Sequence, residues 1–126
     1  MDEKHHVELV KGIAEQMKSV LEKSEQAIYL YLDDNHKVCN KNFADLLGYK
    51  SPKAWADADA PLSDVIKEDQ QSVIDAYMNA SEKMVASGID VRVKNVKTGK
   101  IVKTRMIIAP VAQDGHVFTA HFFSNI

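Results

Sequence analysis

Residues 32–49, LDDNHKVCNKNFADLLGY, contain the sharpest local signals of this chain. Asp34 and Asn35 have turn chemistry and separate two short apolar runs, which predicts a tight β-hairpin. Asn40 stands where a side chain can cap the first turn of a helix, and Gly48 stands where a left-handed residue can end one. Helical spacing between them is shown by Phe43, Ala44, Leu46 and Leu47. The stretch therefore predicts strand, turn, strand, cap, helix and stop.

The segment before this hairpin is predicted to be an amphipathic helix. Residues 5–24 place apolar side chains at alternating steps of three and four on one face. These candidates for a dimer contact are Val7, Val10, Ala14, Met17 and Leu21. Such an apolar stripe is expected to pack against the sheet of its own domain, against the same helix of a second copy, or against both. We expect residues 1–25 to serve packing and homodimerisation, and residues 26–126 to form the globular domain.

Two further helices are predicted after the hairpin. Ser51 can cap a short helix in which Pro52 occupies the first position with its preset φ, and another short turn follows Pro61. A longer helix is predicted within residues 67–88, with Gly88 as its stop. Its buried face is predicted to contain Val73, Tyr77, Ala80 and Met84.

After residue 88 the apolar period falls to two, which is typical of half-buried strands. Three antiparallel strands are predicted near residues 89–96, 101–112 and 117–126, separated by turns at KTGK and QDGH. The order along the chain is therefore one helix, two strands, several short helices, one longer helix and a three-stranded meander.

Composition and charge exclude several classes of function. A chain of 126 residues suits one domain, and a formal charge of -2 gives no general attraction to nucleic acid or to an anionic membrane. The apolar runs are far shorter than the ~20 residues of a membrane helix, and the start lacks the apolar region of a signal peptide, so we expect a cytoplasmic protein. Cys39 alone cannot form an intrachain disulfide or a thiolate-rich zinc site. His5 and His6 are adjacent and face different sides of a helix, so no metal site is predicted.

This order of elements resembles a PAS domain from about residue 27 to residue 126. LDDNHKVCNKNFADLLGY is similar to the family's acidic turn, to the asparagine closing its second strand and to its helix ending in LGY. IKEDQQSV resembles the segment opening the family's long helix, and TGK and VAQDGH stand at its two later hairpins. The resemblance implies an α+β fold whose five-stranded antiparallel sheet has the order 2-1-5-4-3, with helices over one face enclosing a small pocket. Asn40 and Gly48 are expected to be structural joints.

The implied pocket is the expected binding site. Its candidate residues are Phe43, Leu47, Trp55, Tyr77, Arg92 and His121. An inward-pointing Arg92 would pair with an anionic ligand, whereas the default for a charge that alternates with apolar residues is a solvated face. His121 stands beside two phenylalanines in the last strand, and the strand register decides which face it occupies. Catalytic residues are not predicted, because the sequence has no triad spacing, phosphate-binding glycine loop or HExxH motif.

The sequence identifies no cofactor. Haem-binding members of the family usually take their axial histidine from the long helix, and residues 67–87 contain none. The LOV branch carries its reactive cysteine in a motif like NCRFLQ on a later helix, and residues 51–88 do not match it. Cys39 lies in a predicted strand and is expected to pack as a small hydrophobe. Neither haem nor a LOV-type flavin adduct is therefore expected.

The expected function is a signalling module that senses a small molecule, mediates protein interaction through its first helix, or does both. Its expected partners are a second copy of the chain and a separate signalling protein. One alternative is a ligand-free dimerisation module, and another is a small cone-shaped α+β enzyme of the isomerase or dehydratase type. An enclosed pocket of about 300 Å³ or more would favour a sensor, and a filled interior would favour the dimerisation module.

Overall fold

The computed structural model describes residues 2–58 and 61–126. Its helices are α1 (Asp2–Gln16), α2 (Lys18–Lys23), α3 (Lys41–Leu47), α4 (Pro52–Ala56) and α5 (Gln70–Lys83). Its strands are β1 (Ala27–Asp33), β2 (His36–Cys39), β3 (Ser87–Lys94), β4 (Ile101–Gln113) and β5 (His116–Asn125). Two short 3-10 turns, Pro61–Asp64 and Lys67–Asp69, lead into α5. In these parts of the chain no helix is long and apolar enough to cross a membrane.

The five strands form one antiparallel sheet in the order β2-β1-β5-β4-β3, which confirms the expected topology. The last strand lies beside the first, with Tyr29 opposite His121 and Ile28 opposite Phe122. This pairing joins the N-terminal hairpin to the C-terminal meander. Because neighbouring side chains along a strand point to opposite faces, each strand supplies residues to both sides of the sheet.

Both faces of the sheet are covered by helices, and each has its own apolar core. Helices α3 to α5 cover the inner face, where buried residues include Tyr29, Phe43, Trp55, Val91, Met106 and Phe123. Helices α1 and α2 cover the outer face of the central strands, where the buried residues are Leu9, Ile13, Leu21, Ile28, Leu30, Phe118 and Ala120. The inner face of β1 and β5 is therefore separated from α1 only by the thickness of the sheet.

Asn40 joins the hairpin to α3, as its position in the sequence predicted. Its Oδ1 accepts hydrogen bonds from the backbone N–H of Phe43 at 2.9 Å and of Ile28 at 3.0 Å. Its Nδ2 donates to the carbonyl of Gln26 at 2.9 Å. One side chain thus caps the helix and also satisfies backbone groups at the start of β1.

Gly48 ends α3 in the left-handed conformation, with φ at 82°, which confirms the predicted stop. A Cβ at this position would lie 2.3 Å from Oδ1 of Asn95. The Asn95 side chain is held there because it accepts from the backbone N–H of Lys97 and donates to the carbonyl of Leu46. Both backbone conformation and space therefore require glycine. The other predicted cap is also present: Ser51 accepts from the N–H of Ala54 at 3.1 Å.

The helix predicted over residues 5–24 is divided at Met17, and its buried face differs from the heptad stripe. Leu9 and Ile13 are buried against the sheet, whereas Val7 is 37% exposed. Of the other stripe residues Leu21 is buried, and the half-buried ones are Val10, Ala14 and Met17. A helix lying on a sheet presents a face of period 3.6 to it, so the residues it buries depart from a 3.5-residue stripe.

The stop predicted for the long helix is wrong. Helix α5 ends at Lys83, and Met84 takes the left-handed position with φ at 58°. Met84, placed on the buried face by the sequence, is 54% exposed, and Ala76 is buried in addition to Val73 and Ala80. Gly88 lies inside β3, opposite Ile107 of β4. Pairing of residues 87 and 88 with β4 extends the strand, so the chain must leave the helix before the glycine is reached.

Candidate functional site

A cleft of about 210 Å³ lies between the sheet and the first half of α5. It is lined by Tyr29, Tyr31, Asp34, Pro61, Leu62, Val73, Ile74, Tyr77 and His121. Most of this lining is apolar or aromatic, with a few polar groups among it. Such a composition is typical of small-molecule sites.

Two of the predicted pocket residues, Tyr77 and His121, line this cleft. His121 stacks on Tyr29, with ring centroids 3.9 Å apart and planes inclined by 11°. The two residues are directly opposite each other in the β1–β5 ladder, so the register of the sheet forces their side chains onto the same face. Tyr29 and His121 are both buried.

The His121 imidazole has unused hydrogen-bonding capacity. In the described part of the chain its Nδ1 has no hydrogen-bond partner. Burial lowers the pKa of His121 to about 3, and backbone groups of Thr119 and Tyr29 oppose this shift only in part. The ring is therefore neutral at physiological pH and keeps one buried polar atom without a partner among the described residues.

Tyr31 and Tyr77 form one wall of the cleft. Their rings meet edge to face with centroids 5.4 Å apart. The Tyr31 hydroxyl donates to Oδ1 of Asp34 at 2.5 Å. Burial and the neighbouring Asp34 carboxylate raise the pKa of Tyr31, so this hydroxyl stays protonated. The wall thus combines two aromatic faces with a hydroxyl that is already paired.

The other predicted pocket residues on the inner face fill the interior. Phe43 and Leu47 line a void of only about 10 Å³. Trp55 is fully buried, and its ring lies 5.1 Å from that of Phe43 and 5.0 Å from that of Tyr29. The structure thus brings Tyr77 and His121 together at the cleft and places Phe43, Leu47 and Trp55 beneath it.

A buried lysine holds α4 onto the hairpin close to the cleft. Lys37 Nζ donates to the carbonyls of Asp34 at 2.5 Å, Ala56 at 3.0 Å and Ala58 at 3.1 Å. The same Nζ lies 5.2 Å from the centre of the Trp55 ring. These carbonyls and the ring face compensate for the removal of the ammonium from water.

Arg92 lies away from the cleft, at the side of the sheet where the chain enters α5. Its Nη2 and Nε donate to the two Asp69 carboxylate oxygens at 2.8 Å and 3.0 Å, and its backbone N–H also donates to Asp69. The Arg92 guanidinium lowers the pKa of Asp69. The structure therefore pairs Arg92 with a residue of its own chain and leaves its side chain 45% exposed.

Cys39 is buried at the end of β2. Burial raises the pKa of its thiol to about 12, although the Ala44 backbone and the Lys37 charge oppose that shift. The thiol is therefore protonated and unreactive at neutral pH. This placement agrees with the packing role expected from the sequence.

Sequence reasoning missed seven of the nine lining residues: Tyr29, Tyr31, Asp34, Pro61, Leu62, Val73 and Ile74. The signal for the two tyrosines was present, because they are two positions apart in AIYLYL and must share a face of the strand. Asp34 was interpreted only as a turn residue. Which of these residues border an opening depends on how α5 lies over the sheet, and this was not readable from the sequence.

Comparison with known proteins finds solved structures that share the fold of this chain. No protein-family profile matches the sequence, and no curated protein sequence matches it. Solved structures match over nearly the whole chain. The PAS domain of a protein from Colwellia psychrerythraea has a TM-score of 0.71 at 16% identity, covering 90% of this chain and 97% of that one.

Two further solved structures extend the comparison. The PAS domain of an HTR-like protein from Haloarcula marismortui has a TM-score of 0.66 at 12% identity and covers 98% of this chain and 99% of that one. A LOV protein from Rhodobacter sphaeroides has a TM-score of 0.72 at 12% identity and covers 92% of this chain and 68% of that one. The chain therefore has the fold of PAS domains.

Proposed function

We propose that this chain is a PAS-type signalling module that binds a small molecule in the cleft above Tyr29 and His121. The observation that carries the proposal is the buried His121 imidazole, whose Nδ1 has no hydrogen-bond partner in the described residues and which lines a 210 Å³ cavity. A buried polar atom without a partner costs about 1–3 kcal/mol. A ligand that hydrogen-bonds to Nδ1 would recover this free energy.

The lining favours a neutral molecule. The described residues around the cleft include the Asp34 carboxylate and no lysine or arginine, so an anion would meet no opposite charge. His121 remains neutral and gives no positive charge either. The aromatic faces of Tyr31 and Tyr77 suit an apolar or aromatic body. The ligand class we propose is therefore a small neutral molecule with one group able to hydrogen-bond to His121.

Signal transmission would run through the two central strands. Tyr29 and His121 contribute to the cleft from β1 and β5, while Ile28 and Phe118 of the same strands pack beneath α1 and α2 on the outer face. A ligand that shifts the inner side chains therefore biases the packing of α1. Val7 and Val20 stay exposed on these helices and offer an apolar contact to a second copy or to a separate signalling protein.

A ligand-free interaction module is the second candidate, and the filled interior favours it. Only about 10 Å³ remain beneath the cleft, and the 210 Å³ cleft itself is smaller than the roughly 300 Å³ of ordinary ligand pockets. Catalysis is not part of either proposal. His121 is too weak a base and Cys39 too weak an acid to react at neutral pH. Cone-shaped enzymes usually place their long helices before most of their strands, whereas α5 of this chain lies between β2 and β3.

Native mass spectrometry of the freshly purified chain tests both candidates, because it reports subunit number and any retained molecule together. Ile74→Trp would fill the cleft, and Met78→Trp on the exposed side of the same helix is the matched control. We expect a retained mass, or binding of added phenol or indole as small neutral probes, in the wild type and in Met78→Trp but not in Ile74→Trp. A dimer without retained mass or probe binding would favour the interaction module.

A further inference from the structure

Four of the five histidines gather at one end of the molecule, where the first turns of α1 meet two hairpins. The ring centroids of His6 and His36 are 5.2 Å apart, and those of His6 and His116 are 5.7 Å apart. His5 lies 5.1 Å from His116. Three separate segments of the chain contribute these imidazoles, so sequence spacing alone does not reveal the cluster.

His36 is the buried member, and both of its ring nitrogens face carboxylates. Its Nδ1 lies 2.6 Å from Oδ1 of Asp33, and its Nε2 lies 3.0 Å from Oε2 of Glu3. These two contacts fix the orientation of the ring, with Nε2 directed at the first turns of α1. An imidazole with one nitrogen held by a carboxylate is the usual arrangement of a metal-binding histidine.

His6 and Asp33 complete a compact group of ligand atoms. One ligand atom each from His6, Asp33 and His36 lies within 4.8 Å of the others, and His6 Nδ1 is 3.6 Å from Oδ2 of Asp33. A tetrahedral zinc ion with bonds of about 2.0–2.1 Å holds its ligand atoms roughly 3.3 Å apart. Small side-chain rotations therefore suffice, because His6 is on the partly exposed first turns of α1. The exposed Glu3 carboxylate lies 3.0 Å from His36 Nε2 and is not one of these three ligands.

We propose that His6, Asp33 and His36 form a binding site for a divalent transition-metal ion, with zinc as the representative ion. Two imidazoles and carboxylates suit zinc, cobalt, nickel and copper, and they do not suit the hard cations magnesium and calcium. The site links α1 to the β1–β2 hairpin. Metal binding therefore fastens the N-terminal helix to the sheet, which gives the molecule a second input at a site separate from the cleft.

The test uses the full chain without an affinity tag, stripped of metal by chelation. Zinc binding is measured by calorimetry, and cobalt binding by the visible absorption of the bound ion. We expect one equivalent of metal and a rise in Tm of about 10 °C at a zinc concentration 100-fold above Kd. Magnesium should produce neither binding heat nor a thermal shift.

His6→Gln and His5→Gln are the matched variants, since both keep helix-forming side chains at adjacent, solvent-accessible positions. We expect His6→Gln to weaken zinc binding at least about 10-fold and to abolish the thermal shift, and His5→Gln to change binding less than about 3-fold. Equal weakening by both variants would indicate capture by the adjacent histidine pair alone and would overturn the proposal. Absence of binding at millimolar zinc in the folded wild type would also overturn it.

Discussion

Tyr29 and His121 stack face to face across neighbouring strands, with ring centroids 3.9 Å apart, and together form part of the lining of the cleft. The contact depends on their exact opposition in the β1–β5 ladder. It also keeps the imidazole in an environment that opposes protonation. The free energy of unfolding in acid should therefore depend on the burial of His121 as a neutral ring against Tyr29.

Stability is expected to fall in acid because His121 must gain a proton on unfolding. Its pKa is about 3 in the folded protein and 6.5 as an unperturbed group, so between these values the unfolded state binds more protons and stability decreases as pH falls. From about pH 7 to about pH 5 the loss should be about 2 kcal/mol larger than in His121→Phe, measured by urea unfolding. His121→Phe removes only this imidazole, so the difference between the two profiles isolates His121. If the free energy of unfolding changed equally with pH in the wild type and in His121→Phe, the burial of a neutral imidazole at position 121 would be contradicted.

Asn40→Ala is expected to destabilise the protein by about 3 kcal/mol. The substitution removes two accepted hydrogen bonds and one donated hydrogen bond, and it leaves the buried N–H of Ile28 without its side-chain acceptor. Asn42→Ala is the control, because Asn42 is exposed and its side chain donates to the carbonyl of Ser24. The control should cost less than about 1 kcal/mol. Equal free energies of unfolding for the two variants would refute the role of Asn40 as the joint.

Gly48→Ala and Gly99→Ala separate backbone strain from steric overlap. Both glycines have positive φ, at 82° and 77°. At Gly99 no atom of the described residues, its two chain neighbours apart, lies within 4 Å of an added Cβ, whereas at Gly48 the Cβ would overlap Asn95. We expect Gly99→Ala to cost about 1 kcal/mol and Gly48→Ala at least about 2 kcal/mol more in urea unfolding. Similar losses would mean that Asn95 moves aside without penalty.

Cys39 is expected to resist thiol reagents in the native protein. Its side chain is buried, and burial raises the pKa of the thiol to about 12, so the reactive thiolate is scarce at neutral pH. Absorbance after addition of a disulfide reagent should show no fast phase in buffer and one full thiol equivalent in denaturing urea. A fast native reaction at pH 7 would show that the segment around Cys39 opens readily.

The variants Leu9→Ala and Val7→Ala distinguish whether α1 packs on the sheet of its own domain or against a second copy of the chain. Leu9 is buried against the outer face of the sheet and Val7 is exposed. Loss of Leu9 atoms from this core should therefore cost about 2–4 kcal/mol, and loss of Val7 atoms less than about 1 kcal/mol. The free energy of unfolding is measured at several protein concentrations. A large, concentration-dependent loss in Val7→Ala would place Val7 in a dimer interface and support the heptad stripe.

The sequence by itself determined the local joints of the fold. The caps at Asn40 and Ser51 and the stop at Gly48 depend on one or two residues and their near neighbours, and the structure has all three. The three C-terminal strands followed from a period of two in the same way. The sheet order was an implication of the PAS resemblance, since no local pattern specifies which strands become neighbours.

Only the tertiary structure decided which faces are covered and which side chains meet. It turned Leu9 and Ile13 of α1 toward the sheet, filled the interior with Phe43 and Trp55, and paired Arg92 with Asp69. It also brought His6 to His36 across 30 positions of the chain. These outcomes depend on long-range packing and strand register, which are properties of the whole molecule, whereas a cap or a turn is stabilised by the residues that immediately surround it.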